Sequence, residues 1–255
     1  MEKIKALLID LDGTIYQNGQ LIDNVLSTIK QLDRRKIPYR FITNSTTKSR
    51  QTICSYLGSL GLNITESSIY TTLYSASNYC LNNNISNIKL ISPTDNLKCD
   101  LNGLHLVDSN PEAIILGDLS NNFNYDILND IFLDLLSGAK LIALHKNRYC
   151  LNNNKIALDL GPFIALLEFA TNKKAIIVGK PNKTLFNMAS RDFNISNSNI
   201  GVIGDDVEAD IKGAQDTDMM GILVKTGKYI EKEVKKSRVK PDYIIDSFSH
   251  ILKYL

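Results

Sequence analysis

Short apolar runs that stop abruptly at polar or charged residues set the rhythm of this chain. Ala6-Leu7-Leu8-Ile9 runs into Asp10-Leu11-Asp12-Gly13-Thr14, and Tyr39-Arg40-Phe41-Ile42 runs into Thr43-Asn44-Ser45. Continuous apolar runs this short fit strands buried on both faces of a parallel sheet. Between them Val25, Leu26, Ile29 and Leu32 recur at helical spacing. Ile53, Leu57 and Leu60 do the same after the second run, with Gly61 placed to end that helix. Strand, helix, strand, helix is the order of a doubly wound parallel sheet. The pattern returns late in the chain. Ala175-Ile176-Ile177-Val178 leads to Gly179-Lys180-Pro181, and Ile200-Gly201-Val202-Ile203 leads to Gly204-Asp205-Asp206. Gly221-Ile222-Leu223-Val224 and Tyr243-Ile244-Ile245 read as further strands, and Phe248, Ile251 and Leu255 as the docking stripe of a terminal helix.

The middle of the chain reads differently. Strand-like runs at Ile88-Lys89-Leu90-Ile91, Ala113-Ile114-Ile115-Leu116 and Leu141-Ile142-Ala143-Leu144 end in no cluster of carboxylates. A helical pattern spans 127–136, and another follows Pro162, a residue suited to a first helical turn. The expected organisation is an α/β, Rossmann-like core in two parts, 1–78 and 175–255, with an inserted α/β domain over 79–174. The runs Asn82-Asn83-Asn84, Asn121-Asn122 and Asn152-Asn153-Asn154 predict loops. A bias towards Asn would produce the same runs, so they carry no functional expectation.

Composition narrows the classes. A chain of 255 residues with 44% hydrophobic content can bury a sizeable core. A net charge of +2 gives no support for nucleic-acid binding, which needs a concentrated basic face, although a local basic pocket for an anion remains compatible with it. Cys54, Cys80, Cys99 and Cys150 lie far apart with no CxxC pair, which argues against zinc and suggests reduced thiols. No signal-peptide pattern precedes the first strand, and no apolar run approaches the ~20 residues of a membrane span. A soluble, cytoplasmic protein is the expectation.

The candidate chemistry lies at the strand ends, where open α/β sheets bind ligands. Asp10, Asp12, Thr43, Lys180 and Asp205 can converge there although they are far apart in sequence. Asp10-Leu11-Asp12-Gly13 alone is weak evidence, since it could be a solvated turn. A calcium loop needs further oxygen ligands that Gly13-Thr14-Ile15-Tyr16 does not supply. The set is more telling. Phosphoryl transfer needs a nucleophile, neutralisation of the phosphoryl oxygens and protonation of the leaving group. Asp10 can attack phosphorus, forming an acyl phosphate that water later cleaves. Magnesium, bound by the Asp10 and Asp205 carboxylates and the Asp12 backbone carbonyl, would bridge the two anions. Lys180 supplies a fixed positive charge. Thr43 and the backbone N–H groups after it, at Asn44 and Ser45, can donate to phosphate oxygens. Asp12 is then free to serve as acid and later as base.

This arrangement resembles the haloacid dehalogenase superfamily of phosphohydrolases. Four motifs carry the resemblance, in order: Asp10-Leu11-Asp12-Gly13-Thr14, Ile42-Thr43-Asn44-Ser45, Gly179-Lys180-Pro181 and Gly204-Asp205-Asp206-Val207-Glu208-Ala209-Asp210. An insertion between the second and third is similar to the branch with a large α/β cap. The resemblance implies Asp10 as nucleophile, Asp12 as acid and base, Thr43 and Asn44 at the phosphate, Lys180 as clamp and Asp205 on magnesium. It implies that Asp210 orients the metal shell, and that two copies pair through the cap. The expected substrate is a small phosphorylated compound.

Some residues admit blander readings. Thr43 can simply end its strand, and Lys180 can be a surface lysine. Asp206 is either a carboxylate behind the metal ligands or a helix N-terminal acid. Glu208 and Lys212 sit at helical spacing with Asp210 between them, and one or two of the three can simply be exposed. His145, Lys146 and Arg148 follow a strand of the insertion and are either substrate readers or a solvated turn. His105 and His250 read as structural or exposed. A dehalogenase needs no magnesium and no second aspartate. A phosphomutase would pass the phosphoryl group to a sugar, and a phospho-ligand-binding protein would carry a vestigial site.

Overall fold

A computed structural model describes residues 4–152 and 155–255. Along the chain, β1 (Ala6–Asp10) is followed by the hairpin β2 (Tyr16–Gln17) and β3 (Gln20–Leu21), then α1 (Val25–Arg34), β4 (Tyr39–Thr43), α2 (Arg50–Ser59) and β5 (Ile69–Thr71). Next come α3 (Thr72–Asn82), β6 (Asn87–Ile91), β7 (His105–Leu106), β8 (Ala113–Leu116), α4 (Tyr125–Leu136), β9 (Lys140–Ala143), β10 (Tyr149–Asn152), β11 (Lys155–Leu158), α5 (Leu160–Thr171) and β12 (Ile176–Ile177). The last stretch holds α6 (Lys183–Ser190), β13 (Ile200–Gly204), a π-helical turn (Val207–Ile211), α7 (Lys212–Asp216), β14 (Met220–Val224), α8 (Glu231–Lys236) and β15 (Tyr243–Ile245).

These elements form two compact units. The first holds residues 4–43, Arg50–Tyr70 and Lys180–Leu255. Its six-stranded sheet has the order β15-β14-β13-β1-β4-β5. β1 pairs in parallel with both β13 and β4, and β13 with β14. Every residue of β1 and β13 is buried, as their unbroken apolar sequences require of central strands. Leu7, Ile9, Phe41, Ile203 and Ile222 pack with Val25, Ile29 and Leu32 from α1, and Phe248 and Ile251 close the same core. The terminal stripe therefore docks as expected, but on a 3₁₀ helix, Phe248–Lys253. Gly61, at φ +88°, takes the left-handed conformation just after α2.

The second unit holds Asn44–Ser49 and Thr71–Gly179. Its five-stranded sheet, in the order β12-β9-β8-β6-β7, is parallel throughout its pairings. Ile88, Ile114, Ile115, Ile142, Ile164 and Leu167 lie in its core. Ile176 and Ile177, read from sequence as a strand of the late core segment, instead pair with Ile142 and Ala143 of β9. Their side chains complete the apolar layer over that sheet, which is why the strand belongs there. The division consequently falls at Gly179 and Lys180, where the sequence suggested 174 and 175, and α3 lies wholly in the second unit. Of the Asn runs, Asn82 ends α3, Asn121 and Asn122 sit in a 3₁₀ turn and Asn152 ends β10. Asn153 and Asn154 lie outside the described residues. No helix among the described residues is long and apolar enough to cross a membrane.

Candidate active site

Asp10 is the last residue of β1, and two neighbouring strands end beside it. Parallel register aligns Ile9 with Ile203, so β13 delivers Gly204 and then Asp205 to the same edge of the sheet. On the other side Asp10 is level with Ile42, one residue before Thr43 closes β4. Lys180, the first residue of the first unit after the long excursion, arrives on a cis Lys180–Pro181 peptide. Asp210 comes from the π-helical turn, in which the N–H groups of Asp210 and Ile211 both donate to the Asp206 carbonyl. Single π turns often occur at functional sites. Here the turn carries the Asp210 carboxylate to a place where any side chain on Gly204 would collide with it.

Four charged groups meet there, each almost inaccessible. Asp10 is 6% exposed, Asp205 5%, Asp210 1% and Lys180 3%. The Lys180 ammonium donates to Asp10 Oδ1 at 2.5 Å and to Asp210 Oδ1 at 2.7 Å. Thr14 Oγ1 donates to the other Asp10 oxygen at 3.1 Å. The Asp206 N–H donates to Asp210 Oδ2 at 3.2 Å, and the Lys228 N–H donates to Asp205 Oδ2 at 2.7 Å. One carboxylate oxygen from each of Asp10, Asp205 and Asp210 lies within 4.8 Å of the others.

Three buried carboxylates facing one buried lysine leave an excess of negative charge, and the protonation equilibria register it. Burial, then the charges of Asp10 and Asp210, push the Asp205 carboxyl up to about 8. Burial also lifts Asp210, to about 7, against the pull of Lys180. Burial works to deprotonate Lys180, but the charges of Asp10 and Asp210 prevail and hold it well above its ordinary value. Such a set demands a proton or a further cation. Its donors are carboxylate oxygens, which suit a hard divalent ion such as magnesium and not a thiophilic one.

The surrounding loops show what the sequence pattern left unread. The turn after β14, Lys225-Thr226-Gly227-Lys228, contacts the site through three hydrogen bonds. Thr226 Oγ1 donates to the Gly13 carbonyl, and the Lys228 ammonium lies 3.0 Å from Asp206 Oδ2. Asp206 Oδ1 in turn accepts from the N–H groups of Glu208 and Ala209, so it acts as the helix N-terminal acid. Lys228 also holds Asp206 below the usual carboxylate range although burial works the other way. The signal for this turn was present: a buried apolar strand ending in a polar, glycine-containing run, as at the other strand ends. Thr14, inside the first motif, likewise holds a site residue, through its bond to Asp10.

Asp12 is exposed, next to the buried Asp10, and forms an isolated bridge with Tyr16. Burial first, and then the charges of Asp12 and Asp10, raise the Tyr16 phenol. Thr43 is buried at the end of β4, whereas Asn44 and Ser45 belong to the second unit, where the Ser45 carbonyl accepts from Thr72 Oγ1. His145 and Lys146 have partners inside the second unit. His145 is buried with Nε2 3.6 Å from Asp159, and its Nδ1 accepts from the Asn147 N–H. Lys146 donates to Glu168 at 2.6 Å.

A parallel sheet flanked by helices, with ionisable side chains gathered at its strand ends, defines a Rossmann-like α/β core. Comparison with known proteins makes the assignment specific. A haloacid dehalogenase-like hydrolase model matches residues 7–106, and a second, HAD-hydrolase-like model matches 177–251. The chain is 37% identical over 252 residues to human haloacid dehalogenase-like hydrolase domain-containing protein 2, covering 99% of this chain and 96% of that protein. It is 28% identical to human phospholysine phosphohistidine inorganic pyrophosphate phosphatase, over 99% of this chain and 94% of that one. The crystal structure of 4-nitrophenylphosphatase from Thermotoga maritima superposes with a TM-score of 0.90 at 25% identity, covering 99% of this chain and 97% of that one. The chain belongs to the haloacid dehalogenase-like hydrolase family.

Proposed function

We propose that this protein is a magnesium-dependent phosphatase that hydrolyses a small phosphorylated compound through an aspartyl-phosphate on Asp10. The observation that carries the reading is the buried group in which Asp10 and Asp205, from the ends of the adjoining strands β1 and β13, meet Lys180 and Asp210. Relatives named as phosphatases support it. The cation would be held by the Asp10 and Asp205 carboxylates and the Asp12 carbonyl, with Asp210 fixing the shell. When bound, it supplies charge neutralisation between carboxylate and phosphate.

The chain's own groups divide the rest of the work. A carboxylate oxygen of Asp10 attacks phosphorus, and the bond from phosphorus to the leaving oxygen breaks. Asp12, exposed and outside the buried trio, gives its proton to that oxygen. The Asp12 carboxylate then takes a proton from water as the water oxygen attacks phosphorus. Inorganic phosphate leaves and the Asp10 carboxylate is restored. Lys180 stays charged throughout and steadies Asp10 against the phosphoryl oxygens. Thr43, with Asn44 and Ser45 after it, would donate to those oxygens, and His145 and Lys146 would read the rest of the substrate. The second unit would act as a cap that excludes water and pairs two copies. The four cysteines form no disulfide, which suits the cytoplasm.

Phosphate release from a panel including 4-nitrophenyl phosphate, pyrophosphate and phospholysine tests the reading. Release with magnesium, lost in EDTA and in Asp10→Asn, is the expected result. Release that survives EDTA, or that Asp10→Asn leaves intact, overturns it.

A further inference from the structure

We infer that the turn Thr226-Gly227-Lys228 is a positioning element of the cation site, setting the orientation of Asp205 and tying it to the Asp12–Gly13 turn. The inference rests on the proposed magnesium reading and concerns residues to which that reading gives no role.

Asp205 stands between two glycines, Gly13 at φ +81° and Gly227 at φ +63°. A Cβ on either would run into its carboxylate, so both left-handed turns press bare backbone against it. The Lys228 N–H occupies Oδ2, which leaves Oδ1 as the oxygen free to face a cation. The two turns are also joined. The Thr226 hydroxyl donates to the Gly13 carbonyl, while the Gly13 N–H donates to the Tyr16 carbonyl at 2.7 Å. The Gly13 N–H bond holds the peptide plane that carries the Asp12 carbonyl, and the Thr226 bond holds the next plane, so Gly13 is fixed on both sides. A single turn thus governs two of the oxygens expected on the cation, one by steric contact and a hydrogen bond, the other through Gly13. Groups that orient metal ligands from outside typically change affinity by about 10–100-fold when removed.

The test uses full-length protein stripped with chelator, titrated with magnesium chloride in a calorimeter. Thr226→Val keeps the shape of the side chain and removes its donor. It should weaken magnesium binding by about tenfold, leave the unfolding temperature in EDTA unchanged, and recover wild-type kcat at saturating magnesium. Thr226→Ser should restore affinity. Gly227→Ala should weaken binding further, and if it fails to fold, the Thr226 pair still decides. Wild-type protein that binds no magnesium overturns the cation reading itself. Wild-type protein that binds while folded Thr226→Val binds equally well overturns this inference alone.

Discussion

The Lys180 ammonium lies 2.5 Å from Asp10 Oδ1, joining residues 170 positions apart in sequence. The same ammonium holds Asp210, so one lysine serves two buried carboxylates. Lys180→Met should therefore lower kcat/KM by about 10²–10³-fold, the usual effect of removing a fixed group that stabilises developing charge. It should also destabilise the fold by up to about 3–5 kcal/mol, because carboxylates are left buried without their partner. Steady-state kinetics and urea unfolding at pH 8 in EDTA check the two effects. Wild-type activity in the variant would remove Lys180 from the mechanism.

The two aspartates of the first motif differ in environment, and their variants should differ in kind. Asp10 is buried in the charged cluster and Asp12 is exposed. Asp10→Asn should show no turnover and no covalent phosphate. Asp12→Asn should form the phosphoenzyme slowly and accumulate it, since its breakdown lacks a base. Its stability should stay within about 0.5 kcal/mol of wild type, as for most exposed substitutions. Acid quenching with a labelled substrate distinguishes the two. Equal phosphoenzyme levels in both variants would contradict the assignment.

What could be read from the sequence follows from where the information lies. The central strands were legible because burial on both faces writes itself as unbroken apolar runs, as in Ala6-Leu7-Leu8-Ile9 and Ile200-Gly201-Val202-Ile203. Asp10, Lys180 and Asp205 were legible because each follows such a run. The sheet to which Ile176 and Ile177 belong was not, because an apolar run does not name its neighbour and both sheets offer a parallel partner. The turn itself follows a legible strand, but the contacts that Thr226 and Lys228 make with the site were hidden, for a related reason. They depend on loop conformation at Gly13 and Gly227, which no periodicity encodes.

Some of the Asn residues have a backbone role. Among the described residues, six of the nine non-glycine positions with positive φ are Asn: Asn18, Asn24, Asn84, Asn110, Asn172 and Asn194. Asn tolerates the left-handed conformation better than other side chains. Asn172 is exposed and closes α5 at φ 53°, ψ 28°. Asn172→Gly should be neutral or stabilising by a few tenths of a kcal/mol, whereas Asn172→Val should cost about 1–2 kcal/mol. Denaturant midpoints of the two variants check this, and equal stability would show that the cap conformation relaxes.

The Asp205 carboxyl makes stability depend on pH in one direction. Its folded pKa, about 8, lies above the ordinary value of 3.8 because burial and neighbouring carboxylates oppose its charge. The folded state therefore binds this proton more tightly than the unfolded chain. The resulting stabilisation is fully present below about pH 4 and is lost as pH rises through about 8. Other carboxylates, such as Asp206, are lowered and act in the opposite sense at low pH, so the useful quantity is a difference. In EDTA, wild type should lose stability relative to Asp205→Asn as pH rises from 5 to 8. Magnesium, replacing the proton, should raise the wild-type unfolding temperature more at pH 8 than at pH 5, and should do little for the variant. Thermal unfolding of both proteins, with magnesium and with EDTA, measures the full set. Parallel curves for the two proteins in EDTA would show that Asp205 is not the group that titrates, and an equal magnesium response at both pH values would separate the cation from this carboxylate.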